Sequence, residues 1–274
     1  MGFFSPGYLK EGKGISKEQA EKRNYFGTLF DKFFDMIKIN ALYFACNIPM
    51  LILCALIGIP LLGGGNFTFY LEQITKGNII MVFWVMLPLF PFVLSGPFTA
   101  GLTYITRNFV KREHSFLFSD YWEHSKKNIK QSIIANIILY VMYMLYISVT
   151  LFYFLKAANV ILMALLLVLG IVLLVIPFYI YLMIVSFDIK LKDIFKNAWI
   201  FALAKLPQNL FFLIIVLAVH IALVRLYGLW ILFIPLILIV WTSYTMNYYA
   251  WHIINKNMMP KEDEDENKEE VLTD

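Results

Sequence analysis

Long apolar runs alternate with short polar stretches along this chain. The runs lie at about residues 39–62, 79–106, 131–155, 157–187, 206–225 and 227–253. Because roughly 20 helical residues cross the hydrocarbon core of a bilayer, each run predicts one transmembrane helix. Residues 131–187 are too many for one crossing, so the chain must fold back near Lys156. The pattern predicts an all-α, polytopic membrane protein with six transmembrane helices.

The polar connections on one side of the predicted bundle also contain apolar residues at helical spacing. They predict amphipathic interfacial helices before the first, third and fifth spans, at residues 26–38, 116–130 and 191–205. The predicted organisation is therefore a cytoplasmic N-terminal segment with an interfacial helix at 1–38, a six-helix transmembrane domain at 39–254 and an acidic tail at 255–274. Eight acidic residues and two lysines in residues 260–274 predict that the tail is disordered.

The distribution of charge predicts an orientation. Charged residues make up 15% of the chain and apolar residues 60%, so a water-soluble domain is excluded. Of the 23 Lys and Arg residues, 20 fall on the side that carries both termini. Positively charged loops stay in the cytoplasm, which predicts a multi-pass protein of the cell membrane with both termini cytoplasmic. The net charge of +4 hides this asymmetry because the tail is acidic.

Several classes of partner and chemistry find no support in the sequence. The basic residues lie at the ends of apolar spans and form no contiguous phosphate-binding face, so we expect the bilayer and not nucleic acid as the partner. Cys46 and Cys54 lie eight residues apart in one helix and are expected to be reduced. No catalytic constellation, cofactor-binding loop or metal-ligand spacing is present, so we expect no enzyme activity, no cofactor and no metal.

Polar residues inside the spans are the candidate functional positions, because such a group persists in a membrane with a partner or a water-filled cavity. The candidates are Asn47, Ser95, Thr99, Thr103, Arg107, Asn136, His220, Thr242 and Asn247. Pro88, Pro91 and Pro97 break the second span, and Gly96 and Gly101 allow close approach of a neighbour. Two interpretations stay open for this set: helix packing, or the lining of a polar pathway. His220 is either a hydrated interfacial side chain or a proton-coupling group.

Three segments carry a resemblance to a known family. They are FDKFFDMIKINALYFACNIPM from Phe30, SGPFTAGLTYITRNFVKREHSFLFSDYWEHSKKNIKQS from Ser95 and LKDIFKNAWIFALAKLPQNL from Leu191. Together they resemble the YesL-like family of Gram-positive bacterial integral membrane proteins, whose function is not established. The resemblance implies six helices and a link to carbohydrate uptake, and it carries over no catalytic residue.

Two functional hypotheses follow. The first is a transport-related or accessory component linked to carbohydrate uptake, with sugar ABC transporter components as partners; it rests on the resemblance, the broken second span and the polar sixth span. The second is a non-transporting scaffold or regulator that binds partner proteins through its cytoplasmic helices and tail. Substrate and oligomeric state are not specified by the sequence.

Overall fold

The computed structural model describes residues 25–156, 159–225 and 233–258, and within these ranges it contains helices and short connections but no strand. The all-α prediction is thus confirmed for this part of the chain. The helices are α1 (Tyr25–Asp31), α2 (Phe33–Leu62), α3 (Asn66–Thr75), α4 (Met81–Met86), α5 (Gly96–Lys111), α6 (Leu117–Lys127), α7 (Ile129–Lys156), α8 (Val160–Ser186), α9 (Leu191–Ala204), α10 (Leu206–Arg225) and α11 (Ile239–Met258).

Within the described ranges, five segments are long and apolar enough to cross a membrane: Phe33–Leu62, Met81–Lys111, Ile129–Leu155, Val160–Ser186 and Leu206–Arg225. They correspond to the first five predicted spans. The sixth predicted span, 227–253, begins outside the described residues and stays a prediction. From residue 233 onward it is helical, with a π-helical segment at Ile234–Leu238 that continues into α11.

The second span is broken, as its prolines predict. α4 gives way to a 3₁₀ helix at Leu87–Ser95, which contains Pro91, and α5 then starts with Pro97 in its first turn. Proline lacks the N–H that the α-helical ladder needs, so a tighter helix replaces the ladder here. Gly96 is pressed against α7: a Cβ there would stand 2.6 Å from the Ser132 carbonyl oxygen. The predicted close approach at this glycine is therefore confirmed.

The connections differ in part from the expected layout. The segment before the first span is divided, since α1 ends at Asp31 and Phe33 already belongs to the spanning helix α2. α6 and α9 are separate helices at the second and third predicted interfacial positions, and their placement in a membrane interface stays a prediction. Residues 66–75, expected to be part of a loop, form α3. The helix α11 runs to Met258, so residues 255–258 are not tail; residues 1–24 and 259–274 lie outside the described part.

The core is built around α8, whose residues 172–185 are mostly buried. The neighbouring helix α7 runs antiparallel to it, because the Tyr143 hydroxyl donates to the Leu173 carbonyl at 2.8 Å and the Tyr146 hydroxyl donates to the Leu166 carbonyl at 3.1 Å. The predicted fold-back near Lys156 is thus confirmed. α5, α9 and α11 pack on the other faces of α8, with Ala100, Ile194, Ala198 and Ala250 in the same apolar core.

Candidate functional site

A cavity of about 700 Å³ lies inside the bundle, next to the break in the second span. Side chains from α2, the 3₁₀ helix, α5, α7, α8, α10 and α11 line it. Six of the nine candidate polar residues are among them: Ser95, Thr99, Thr103, Asn136, His220 and Thr242. The tertiary structure therefore brings together residues that are up to 147 positions apart in the sequence.

Asn136 forms the part of the wall nearest the broken helix. Its Nδ2 donates to the backbone oxygens of Val93 at 3.2 Å and Phe92 at 3.4 Å, and its Oδ1 accepts from the Tyr181 hydroxyl at 2.6 Å. The Val93 carbonyl also accepts from the Gly96 N–H, and the Phe92 carbonyl from Ser95 Oγ, so the Asn136 amide is an additional donor at the end of the 3₁₀ helix. Asn136 therefore joins α7, the 3₁₀ helix and α8 at one point.

The hydroxyl stripe on α5 is partly satisfied within the protein. Thr99 Oγ1 donates to the Ser95 carbonyl at 3.0 Å, and Tyr43 of α2 lies 3.1 Å from the same Oγ1. Because the threonine proton points to the carbonyl, the Tyr43 hydroxyl is the donor in the second bond. Ser95 Oγ donates to the Phe92 carbonyl at 2.7 Å. This end of the stripe holds the helix break and α2 in place.

The wall formed by α5 and α11 contains a second polar cluster. Thr106 Oγ1 lies 3.2 Å from Ser243 Oγ, and Asn247 Nδ2 donates to Thr106 Oγ1 at 2.8 Å. Ser243 also lines the cavity. Two further threonines of the same two helices line it as well: Thr242, next to Ser243 on α11, and Thr103, three residues before Thr106 on α5. The buried Thr242 Oγ1 has no hydrogen-bond partner among the described residues.

His220 reaches the cavity from α10. Its Nδ1 lies 2.8 Å from the Val216 carbonyl oxygen, and since a carbonyl can only accept, Nδ1 carries the proton. In the neutral ring, Nε2 is then an acceptor. His220 is half-buried, and within the described ranges no residue hydrogen-bonds to its Nε2. The residue is thus at the cavity wall and not simply at the outer surface.

Three of the candidates are outside the cavity. Asn47 is buried in α2 and donates to the Tyr43 carbonyl one turn earlier, at 2.8 Å. Asn247 belongs to the α5–α11 contact. Arg107 packs at the end of α8, where Nη1 donates to the Val185 carbonyl at 2.8 Å and to Ser186 Oγ at 3.1 Å. The contacts of Arg107 and Asn247 support the helix-packing interpretation, whereas the Asn47 hydrogen bond lies within its own helix and favours neither interpretation.

Beside Arg107, an aromatic cluster joins α5 to α6. The His124 ring stacks on Tyr104, with 3.3 Å between centroids, and the Arg107 Cζ lies 4.6 Å from the Tyr104 ring. Burial, together with the nearby Arg107 and Lys127 charges, lowers the pKa of His124 from its ordinary value of 6.5, and Glu123 and Asp120 oppose the shift. Gly101 allows this packing, because a Cβ there would stand 2.6 Å from the Tyr121 carbonyl oxygen of α6.

The sequence analysis missed three residues with structural importance. Asn40 spans the π-helical segment: its Nδ2 donates to the Ile234 carbonyl at 2.8 Å and its Oδ1 accepts from the Val240 N–H at 2.9 Å. Asn209 accepts from the Tyr179 hydroxyl at 2.9 Å and donates to the Ala202 carbonyl at the end of α9. Tyr181 holds Asn136. Pro235 was the signal in the sequence that could have indicated a role for Asn40. A proline interrupts the backbone hydrogen bonds of its helix, and in a membrane the groups left without a partner are satisfied by polar side chains of other helices.

The chemistry of the cavity is that of a neutral site. Its lining, as far as the chain is described, contains no Asp, Glu, Lys or Arg, and its polar groups are hydroxyls, one amide and one imidazole. Met86, Leu89, Phe92, Met144 and Ile147 provide the apolar part. Pockets of 300–1,000 Å³ with an apolar lining and a few polar groups are typical of small-molecule sites. Among the described residues there is also no group of three metal-capable side chains.

The fold and the cavity together define an apolar, helical, membrane-type protein. In a comparison with known families, residues 36–149 match a domain described as "Protein of unknown function, DUF624". That segment runs from α2 to the middle of α7 and includes the broken helix and Asn136. No curated protein and no solved structure matches the chain. The DUF624 description does not name the YesL-like family or a bacterial group, so that resemblance stays a prediction.

Proposed function

We propose that this protein is a transport-related membrane component that binds an uncharged solute in the cavity beside its broken helix. The observation that supports the proposal is the cavity lining: several polar groups face a common space in the interior of a bundle, and charged side chains are missing from the described lining. Broken helices beside such a space are a recurrent arrangement in solute transporters. A charged solute would lose its hydration without gaining a counter-charge, which makes it a poor occupant.

Cysteine accessibility tests this proposal. In a background with Cys46 and Cys54 replaced by alanine, Met144→Cys places a thiol on the cavity wall, and Leu145→Cys places one on the exposed face of the same helix. A membrane-impermeant, sulfonated methanethiosulfonate should modify Cys at 144 at least about tenfold faster than at 145, because a thiolate forms in water and not in hydrocarbon.

The same variants test transport. A transport cavity opens alternately to the two sides, so the thiol at position 144 should react in both right-side-out and inside-out vesicles. Reaction at 145 as fast as at 144, or no reaction at 144 from either side, would show that the cavity is packing space and would refute the proposal.

The finer part of the proposal is that the protein is linked to carbohydrate uptake, with sugar ABC transporter components as its partners. Its support is the resemblance of the three sequence segments. The test is uptake of labelled sugars in a deletion strain, together with affinity purification from native membranes. Reduced uptake and recovery of an ATPase with a solute-binding protein support the link; unaltered uptake without those partners contradicts it.

A scaffold role is the second candidate, and exposed apolar side chains favour it. Phe116 and Phe118, at the start of α6, and Leu203, at the end of α9, are each more than half exposed. We expect that Phe116→Ser with Phe118→Ser would abolish partner recovery in a scaffold and leave the reactivity of Cys at 144 unchanged. A transport component without such a partner would show no effect in either measurement.

A further inference from the structure

The polar atoms of the cavity divide into two groups. Those of Ser95, Thr99, Asn136 and Tyr181 already hydrogen-bond within the protein, and so do the hydroxyls of two tyrosines on α7, Tyr140 and Tyr143. The second group consists of Thr103 Oγ1 and His220 Nε2, for which no hydrogen bond is present in the described part of the chain. Thr242 Oγ1 is also unpaired there, but the surrounding protein encloses this atom and the cavity does not reach it. A ligand would find its hydrogen-bonding capacity mainly in the second group.

The contacts between the helices indicate that Thr103 and His220 lie at a similar level of the bundle. Phe212 of α10 stacks on Tyr249 of α11, with 4.5 Å between ring centroids. The two helices run antiparallel here. His220 lies eight residues, or about 12 Å, beyond Phe212 on α10, and the same distance back from Tyr249 on α11 reaches residue 241, next to Thr242. His220 and residue 241 are therefore at the same level. α5 and α11 run parallel, since Thr106 contacts Ser243 and Lys111 lies over the Trp251 ring. One turn before Thr106, Thr103 therefore reaches the same level.

The rest of the lining is hydrocarbon or is already paired. A free sugar carries hydroxyl groups around its whole ring, and most of them would face Met86, Leu89, Phe92, Met144 or Ile147. A hydroxyl that loses its water and gains no partner makes binding less favourable. A molecule with one hydroxyl head and a hydrocarbon body has no such penalty. Methionine side chains adapt to flexible apolar ligands, which fits the same class.

We propose that the cavity selects a neutral amphiphile, with its hydroxyl head hydrogen-bonded to Thr103 Oγ1 and His220 Nε2 and its hydrocarbon chain against the wall formed by the 3₁₀ helix and α7. This inference rests on the proposed function, because it names the class of solute that the cavity takes. His220 Nε2 accepts the hydroxyl proton of the ligand, and the Thr103 hydroxyl donates to its oxygen.

The test uses the full chain in lipid nanodiscs and decan-1-ol with a diazirine in its chain. Photolysis should label peptides that contain residues 86–92 and 144–147, and excess decan-1-ol should prevent the labelling. Decanoate and decylammonium should compete at least about tenfold less well, because their charges have no counter-charge in the cavity. Maltose should not compete.

Variants locate the head group. His220→Leu and Thr103→Val should each weaken competition by decan-1-ol about tenfold, the effect of losing one hydrogen bond of about 1.4 kcal/mol. Ile221→Val, on the exposed face beside His220, is the matched control and should leave competition unchanged. Thr103→Val is nearly isosteric, so it tests the head group even if His220→Leu fails to fold.

Three results would overturn the inference: equal competition by decanoate, unchanged competition in both variants, or labelling outside the cavity. Protection of Met144→Cys from modification separates the two proposals. If maltose protects that thiol and decan-1-ol does not, the cavity is a solute site of another class and only this inference fails. If no labelling is seen while the thiol at 144 still reacts from both sides, only this inference fails; if that thiol does not react from either side, both proposals fail.

Discussion

Replacing Asn136 by leucine should loosen the junction between the broken helix and the bundle core. Leucine removes the acceptor of the Tyr181 hydroxyl, at 2.6 Å, and the donor to the Val93 and Phe92 carbonyls, at 3.2 and 3.4 Å. The short hydroxyl bond is the strong one, and the two long amide bonds are weaker. Interhelical hydrogen bonds in membranes are worth about 0.6 kcal/mol on average and about 1.7 kcal/mol at most.

From these contacts we expect Asn136→Leu to lower the free energy of unfolding by about 2–3 kcal/mol, of which about 1–2 kcal/mol belongs to the Tyr181 bond. The measurement is reversible unfolding in bicelles for Asn136→Leu, for Tyr181→Phe and for the variant that combines the two substitutions. Ile137→Leu, on the exposed face of α7, is the matched control and should change the stability little.

The double-mutant cycle decides whether the reasoning holds. If Asn136 and Tyr181 contact each other as described, the sum of the stability losses in the two single variants should exceed the stability loss in the double variant by about 1–2 kcal/mol. Strict additivity, or a loss below about 0.5 kcal/mol for Asn136→Leu, would show that the amide is not the link between the two helices.

Three further substitutions have expected outcomes. Gly101→Ala should destabilise the fold by about 1–3 kcal/mol, because its Cβ would press on the Tyr121 carbonyl oxygen; Gly58→Ala, where the nearest atom is 3.4 Å away, should cost much less in the same unfolding measurement. Arg107→Ala should lower the stability by about 2–4 kcal/mol through its lost charged hydrogen bonds and leave ligand competition in the cavity unchanged, whereas a loss of competition would place Arg107 in the ligand site. Burial lowers the pKa of His124, so the folded state favours the neutral ring. The stability contributed by this ring should be complete above pH 6.5 and should fall as the pH drops from there through the lowered pKa. His124→Gln should flatten this part of the stability profile, and an unchanged profile would contradict the assignment.

The sequence predicted most of the polar residues of the candidate site, but it did not predict how they are arranged in space. Polar residues are rare in apolar spans, so a search for them found six residues of the cavity lining from composition alone. The same search also selected Arg107, Asn47 and Asn247, which contact other parts of the protein. Asn40 is likewise a polar residue in the first span, but nothing near it in sequence indicates that its partners are Ile234 and Val240.

The pattern of apolar runs by itself determined that the chain is helical, where five of its membrane-type helices lie and where prolines interrupt the second of them. Each of these features depends on residues that are near one another in sequence: the length of an apolar run, or the missing N–H of a proline. The sixth span, the orientation and the interfacial helices rest on the same reasoning and stay predictions.

Only the tertiary structure decided which faces of the helices meet. In a soluble helix the polar face marks the outside, but a membrane helix is apolar toward lipid and toward its neighbours alike, so the sequence gives little contrast between the two. Whether Thr103, Thr242 and His220 share one cavity depends on how α5, α10 and α11 are rotated and on their relative heights. Packing at Gly96 and Gly101 and the contacts of Asn136 with Tyr181 contribute to that arrangement.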